Sequence, residues 1–178
     1  MSLPVNSHQT PDNSILDLNG RQAYLGNCFI SGTQLGSIGS TSETPYFLIS
    51  NPASSGKSIF IYIKKMSVAT NTAAYATFRF YQNPTVTANG SALGINNLRM
   101  NSAAISSVVK AYQAPSVSSS GTFLADLAAA NASSTQVSTV VQVIDPGNAM
   151  MISVTESTGT VPVAIEICWY ELTYGSQL

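Results

Sequence analysis

The alternation of apolar and polar residues in the last third of the chain most restricts the folds open to it. Apolar side chains take every second position of the run 161–172, at Val163, Ile165, Ile167 and Trp169. A period of two residues places them on one face of a β-strand. Upstream, the run 145–148 (DPGN) is a strong turn sequence. This part of the chain predicts strands joined by tight turns, with Trp169 in the core.

The same alternation occurs in the run 58–68, for which we predict a strand. It places Ile59, Ile61 and Ile63 on one face, and the other face carries Phe60, Tyr62, Met66 and Val68. The run 74–82 is predicted to return as its hairpin partner. Lys64 and Lys65 would then point to opposite faces, one as an edge charge that prevents strand addition or, alternatively, as a contact to an acidic partner. With about eight strands and no convincing helix, the pattern predicts an all-β antiparallel sandwich or barrel.

The first forty residues differ from the rest in being rich in Asn, Ser, Gly and Gln, with only short apolar islands. We predict an extended N-terminal arm over residues 1–40 and a β-sandwich domain over residues 41–178. An extended segment can cover a large area of a partner once it docks. The apolar residues of the arm are therefore candidate contacts between subunits: Leu3, Val5, Ile15, Leu16, Leu18 and Tyr24.

Charged residues are scarce, and this excludes several classes of function. The chain has seven Lys and Arg and eight Asp and Glu, which together make 8% of its residues, against about 25% in a typical domain. A nucleic-acid binder needs a basic face, which so few scattered cations cannot form.

No run approaches the ~20 apolar residues of a membrane span. The start lacks the features of a signal peptide, which predicts synthesis in a cytoplasm. A neutral hydroxyl-rich surface indicates a protein that is largely covered by neighbours.

The residues able to carry catalysis or bind metals are few. His8 is the single histidine, and Cys28 and Cys168 match no metal spacing. We therefore predict no metal, no cofactor and no enzymatic activity. Two buried thiols are favoured over a disulfide, although the sequence leaves their pairing open. The alternative is a hydrolase that uses scattered carboxylates brought together by the fold: Asp126, Asp145 and Glu156.

Two stretches of the chain resemble virion proteins of tailed bacteriophages. The first is the run 78–93 (FRFYQNPTVTANGSAL), and the second comprises the runs 49–52 (ISNP), 55–58 (SGKS) and 59–63 (IFIYI). The resemblance covers roughly residues 45–98. The family consists of small β-sandwich proteins, often jelly rolls, on the outside of the particle. It includes capsid cement and decoration proteins.

The resemblance implies a jelly-roll-like sandwich and a structural role. It implies a capsid cement or decoration protein that binds the major capsid protein and stabilises the shell. Such proteins are homo-oligomers, commonly trimers, at the capsid surface. The alternative is a receptor-binding or carbohydrate-binding module of a tail fibre or baseplate, with exposed aromatics such as Tyr112 or Tyr174 as its contacts. A shell protein of a small spherical virus is disfavoured, because Arg21 is the only cation in residues 1–40.

Overall fold

The alternating runs of the sequence form strands throughout the computed structural model. It describes residues 21–23, 25–69, 73–99, 105–130, 135–138 and 141–175, with the backbone alone at 135–138. Residues 21–23 form a single helical turn. The candidate arm contacts Leu3, Val5, Ile15, Leu16, Leu18 and Tyr24 all lie outside the described residues.

The first sheet has six strands, all paired antiparallel. Its central path runs β11-β3-β14-β1-β7, and β12 also pairs with β3. Its strands are β1 (Cys28–Gly32), β3 (Lys57–Val68), β7 (Asn96–Asn97), β11 (Thr135–Ser138), β12 (Gln142–Ile144) and β14 (Val163–Thr173). Because β1 lies between β14 and β7, part of the predicted arm belongs to this sheet, and the sandwich begins by Cys28.

The second sheet also has six strands, in the order β10-β4-β13-β2-β8-β6. They are β2 (Thr44–Ser50), β4 (Tyr75–Gln82), β6 (Ser91–Ala92), β8 (Lys110–Gln113), β10 (Thr122–Ala130) and β13 (Ala149–Glu156). A separate two-stranded ribbon is formed by β5 (Thr85–Ala88) and β9 (Ser116–Ser119). This ribbon connects the β4–β10 pair at one edge of the second sheet with the β6–β8 pair at the other.

The chain bends sharply at each end of the ribbon. At both of these corners, residues with left-handed backbone conformation form the bend. Asn83 (φ 51°) and Gly121 (φ 83°) form one corner, and Ala114 (φ 53°) and Gly90 (φ 81°) form the other. A Cβ added at either glycine would lie 2.2 Å from a backbone carbonyl oxygen of the opposite strand. Glycine is therefore required at both corners by close backbone approach as well as by its positive φ.

The strand pairing has the jelly-roll order. Strand β1 pairs with β14, β2 with β13, β3 with β11 and β12, and β4 with β10, and these pairs alternate between the two sheets. Such nesting is what a long antiparallel ribbon forms when it rolls up into a double sheet. The predicted all-β, jelly-roll-like antiparallel sandwich is confirmed. The predicted count of about eight strands is wrong, since the described part of the chain has fourteen.

The core lies between the two sheets and includes the predicted face of β14. Val163, Ile165, Ile167 and Trp169 are all fully buried, with the ring of Phe29 6.1 Å from that of Trp169. The facing strand β13 contributes Met150, Ile152 and Val154. Complete burial of such side chains stabilises the fold by about 1.5–3 kcal/mol each. The prediction that Trp169 is a core residue is confirmed.

The predicted hairpin of runs 58–68 and 74–82 is wrong. The first run forms β3 in one sheet, and the second forms β4 in the other. Strand β4 pairs instead with β13 and β10. The alternation marks the buried face of run 74–82 correctly, and that of run 58–68 only at Ile59 and Ile61. The two buried faces meet across the core rather than lying side by side in one sheet.

A register shift in β3 changes the predicted faces and buries a lysine. The register with β14 shifts between Cys168 and Trp169, which leaves one extra residue on β3. Beyond it, Met66 shares the buried face of Ile61, and Lys64 turns inward with 3% of its surface exposed. Burial lowers the pKa of Lys64 to about 8. The edge-charge interpretation of the lysines is wrong, because β3 is paired on both sides.

Candidate functional site

Several of the few charged side chains form hydrogen bonds or ion pairs within the molecule. Glu156, on β13, is completely buried. Its Oε1 accepts a 2.7 Å hydrogen bond from the backbone N–H of Ile38, and its Oε2 accepts bonds from Ser37 Oγ at 2.8 Å and the Val161 N–H at 3.3 Å. The carboxylate thus fastens the loop before β2 to the turn that precedes β14.

Glu171, on β14, fastens a second loop in the same way. Its side chain has no exposed surface, and its Oε1 accepts bonds from Ser107 Oγ, the Val108 N–H at 3.2 Å and Trp169 Nε1 at 3.4 Å. Its Oε2 lies 3.2 Å from Lys57 Nζ, and the lysine side chain is 30% exposed. These bonds hold the segment before β8 against the first sheet.

A third carboxylate, Glu43, lies on the outer side of the second sheet. It forms an ion pair with Arg79 and accepts hydrogen bonds from Tyr81 Oη at 2.6 Å and Ser153 Oγ at 2.5 Å. Partial burial opposes ionisation of Glu43, but the bonds from Ser153, Tyr81 and Arg79 outweigh it and lower its pKa. This cluster ties the loop before β2 to β4 and β13.

The carboxylates that the sequence offered for hydrolysis have separate surroundings. Asp126 is exposed on β10, opposite Arg79 in register. Asp145 accepts a 2.7 Å bond from Ser58 Oγ at the start of a turn, and Glu156 holds the loop described above. The three carboxylates therefore lie on three different parts of the fold: β10, the turn after β12, and β13. In the described part of the chain no group of three or more His, Cys, Asp and Glu side chains could hold a metal ion.

One edge of the sandwich carries exposed apolar side chains on both sheets. Strand β10 ends the second sheet, and β12 lies at the margin of the first. The side chains there are Phe123 (54% exposed), Leu124 (40%), Val141 (41%) and Val143 (52%). We call these four residues with strands β10 and β12 the open edge. Within the described residues, β10 pairs only with β4, and β12 only with β3, so each strand has one row of backbone N–H and C=O groups without a strand partner.

A slot of about 210 Å³ lies in the open edge between the two sheets. Its lining includes the exposed Leu124 and Val143, the buried Ile144 and Met150, and the polar side chains of Gln82, Asp145 and Asn148. Leu124 lies at a register shift in β10, which displaces it from the ladder with β4. The Oε1 of Gln142, another lining residue, is buried and accepts no hydrogen bond among the described residues. A buried acceptor without a donor costs about 1–3 kcal/mol, and a partner that supplies an N–H would recover that cost.

A row of apolar side chains crosses the outer face of the first sheet from the open edge. Val143, Phe60, Tyr170 and Cys28 lie opposite one another in register on β12, β3, β14 and β1. The rings of Phe60 and Tyr170 stack at 4.9 Å. Cys28 and Tyr170 are buried, so the exposed part of the row is at its β12 end. An apolar row on the outer face of a sandwich departs from the usual alternation and continues the open edge.

The sequence left open whether the two thiols form a disulfide. Cys28 and Cys168 lie on neighbouring strands and do not form a disulfide. Burial raises the pKa of each thiol to about 11. The favoured prediction of two buried thiols is confirmed, and the raised pKa values disfavour the reactive thiolate form at neutral pH.

A recess of about 370 Å³ lies beside the loop that Glu171 holds. Tyr112 lines it together with Phe29 and Ile105, and its polar lining includes Asn97 and Lys110. A recess with an aromatic wall and several polar groups has the size of a small-ligand site. Tyr174, the second aromatic that the sequence predicted as a ligand contact, follows β14, is 59% exposed and does not line this recess.

The sequence contained only a partial signal for the open edge. Phe123 and Leu124 are adjacent, so a strand cannot place both on one buried face. That observation could have marked β10 as exposed. It could not have shown that Val143 lies across the slot from Leu124, because these two residues belong to different sheets.

Comparison of the chain with profiles of known protein families and with curated protein sequences finds no match. No helix in the described part of the chain has the length and apolar character of a membrane span.

Proposed function

We propose that this protein is a structural virion component of a tailed bacteriophage. In this proposal it is a capsid cement or decoration protein that binds the major capsid protein and stabilises the shell. It acts as a homo-oligomer, for which a trimer is favoured, at the capsid surface. The observation that carries the proposal is the open edge.

The open edge supports a role in assembly because an isolated copy would be poorly protected there. Strand β10 is nine residues long, and most of its side chains are exposed, with Asp126 as its one charge. Long apolar edge strands without Lys or Pro are templates for pairing with another chain. Apolar patches of this kind mark protein-interaction sites on stable proteins.

The distribution of charge supports the same role. Glu156, Glu171 and Lys64 are buried, and Glu43 is paired with Arg79. Few charges therefore remain to keep separate copies apart in solution. A surface rich in hydroxyl and amide groups forms wet interfaces with neighbours, in which bridging waters complete the hydrogen bonds.

The fold and the resemblance give the proposal its specific form. Jelly rolls occur in viral capsid proteins, although the fold by itself does not determine function. The runs 78–93, 49–52 and 55–63 resemble phage virion proteins, and they lie in β4, β5, β6 and the segment from β2 into β3. The partner that the resemblance implies is the major capsid protein.

The test uses particles that lack this protein. Purified chain is added to them, and binding and the temperature of genome release are measured. We expect the wild-type chain to bind and to raise the release temperature. A Leu124→Asp, Val143→Asp double variant should do neither, because it places two charges in the lining of the slot. Leu35→Asp is the matched control, since Leu35 is 55% exposed and lies outside the open edge. Absence of wild-type binding to the shell would refute the proposal.

The recess at Tyr112 favours a second candidate, a receptor-binding or carbohydrate-binding module of a tail fibre or baseplate. An aromatic ring beside amide, hydroxyl and ammonium groups can bind a sugar by stacking and hydrogen bonding. A glycan array distinguishes the two functions. Binding that a Tyr112→Ala variant abolishes would support the second candidate, and an array without binders would reject it.

A further inference from the structure

The open edge has the features of a site for an extended peptide segment. Strands β10 and β12 each have an unpaired edge, and both line a slot that has apolar and polar side chains. An added strand would pair its backbone with the edge and place alternate side chains toward the slot. It would also bring N–H groups close to the buried Oε1 of Gln142, which accepts no hydrogen bond within the described structure.

The chain itself contains a segment with the required pattern. Residues 1–20 precede the described part of the chain and carry two pairs of apolar residues at alternate positions, Leu3 with Val5 and Leu16 with Leu18. Alternate positions share one face of an extended segment. Twenty extended residues span up to about 66–72 Å, which is far more than the width of a sheet.

The position at which this segment joins the fold puts the open edge of its own copy and that of a neighbouring copy both within its reach. The described chain joins the first sheet at β1, and β14 and β3 lie between β1 and the open edge. Three strand spacings of about 4.8 Å separate them, or roughly 14 Å. Cys28 and Tyr170, the members of the apolar row between the two places, are already buried. The accessible part of the row is therefore on the side of the molecule away from β1.

We propose that residues 1–20 of one copy add as a strand to the open edge of the next copy, with Leu16 and Leu18 directed at the slot, because Pro4 between Leu3 and Val5 lacks the N–H that an added strand donates. This inference rests on the homo-oligomer of the proposed function and names the two surfaces that form it. Because the donor segment and the acceptor edge are different parts of the chain, the contact is head-to-tail. Such contacts generate closed rings when the rotation between copies closes, as a trimer requires.

The test is complementation between two variants, measured by light scattering after size-exclusion chromatography. One variant lacks residues 1–20 but keeps β1, and the other is Leu124→Asp, Val143→Asp. We expect the wild type and Leu35→Asp to be oligomers and each variant alone to be a monomer. Mixed, the two variants should form a one-to-one heterodimer, because the mixture retains one intact segment and one intact edge. Circular dichroism of each variant establishes that it is folded.

Other outcomes overturn the inference. An oligomer that persists without residues 1–20 would show that another surface joins the copies. A mixture without heterodimer would show that the segment and the edge do not bind each other between copies. A monomeric wild type whose unfolding temperature falls when residues 1–20 are removed would place the segment on its own copy. Shell binding is measured separately for each chain, so an oligomer that does not bind shells refutes the proposed function and leaves this inference standing.

Discussion

Replacement of Glu171 by leucine should destabilise the fold strongly, because this carboxylate is the common acceptor of several buried donors. Leucine has a similar size but accepts no hydrogen bond. The substitution leaves Ser107 Oγ, the Val108 N–H and Trp169 Nε1 without their acceptor, and it removes the partner of Lys57.

The size of the effect follows from the burial of each group. A buried donor left without a partner costs about 1–3 kcal/mol. Removal of one member of a buried ion pair costs about 3–5 kcal/mol. Lys57 is 30% exposed and can turn to water, which reduces its share. We expect a loss of about 3–5 kcal/mol, against a total stability of about 5–15 kcal/mol for a domain.

The assay is urea unfolding followed by fluorescence of Trp169, with far-ultraviolet circular dichroism as a second probe. Lys57→Met is the matched control, because it removes the same ion pair from its exposed side. We expect Lys57→Met to cost less than Glu171→Leu, because the buried carboxylate loses its cation but keeps its hydrogen-bond donors. Equal losses for the two variants would refute the reasoning, since they would show that the ion pair, and not the set of buried donors, carries the effect.

Three further predictions concern a corner, a titration and the thiols. Gly121→Ala should lower the unfolding temperature more than Gly56→Ala. A Cβ at position 121 would lie 2.2 Å from a carbonyl oxygen of β4, whereas a Cβ at position 56 would meet open space. Similar losses for the two variants would contradict the close approach. Glu43 has a lowered pKa, so its contribution to stability is present above the unfolded value of about 4.3 and is lost as pH falls through the folded pKa. Glu43→Gln should flatten that part of the acid unfolding curve, and an unchanged curve would contradict it. With pKa values raised to about 11, Cys28 and Cys168 should react with a thiol reagent at pH 8 only as fast as the protein unfolds; rapid reaction in the folded protein would count against their burial.

The alternation of apolar and polar residues predicted the buried face of β14 well, but it predicted strand partners poorly. The buried face of β14 and the core position of Trp169 follow from a period of two residues, because burial acts on each strand separately. Whether the next strand pairs alongside or crosses to the other sheet depends on contacts distant in sequence. For that reason the sequence pattern predicts one hairpin for β3 and β4, although they lie in different sheets.

The open edge and Lys64 show two other limits. One extra residue in β3 reverses the faces after it, and nothing in the sequence at Tyr62 and Ile63 marks that position. Phe123 and Val143 were each visible as apolar strand residues, but their shared edge follows only from the rolled topology. The predicted contacts of the arm remain predictions.

The central claim is that this protein is a structural part of the virion shell, and labelling of intact particles tests it most directly. Antibodies against the purified chain, coupled to gold, would be applied to particles from the source lysate and viewed by electron microscopy. We expect label distributed over the outside of the head. Label confined to the tail, or unlabelled particles with the chain found only as free protein, would contradict it.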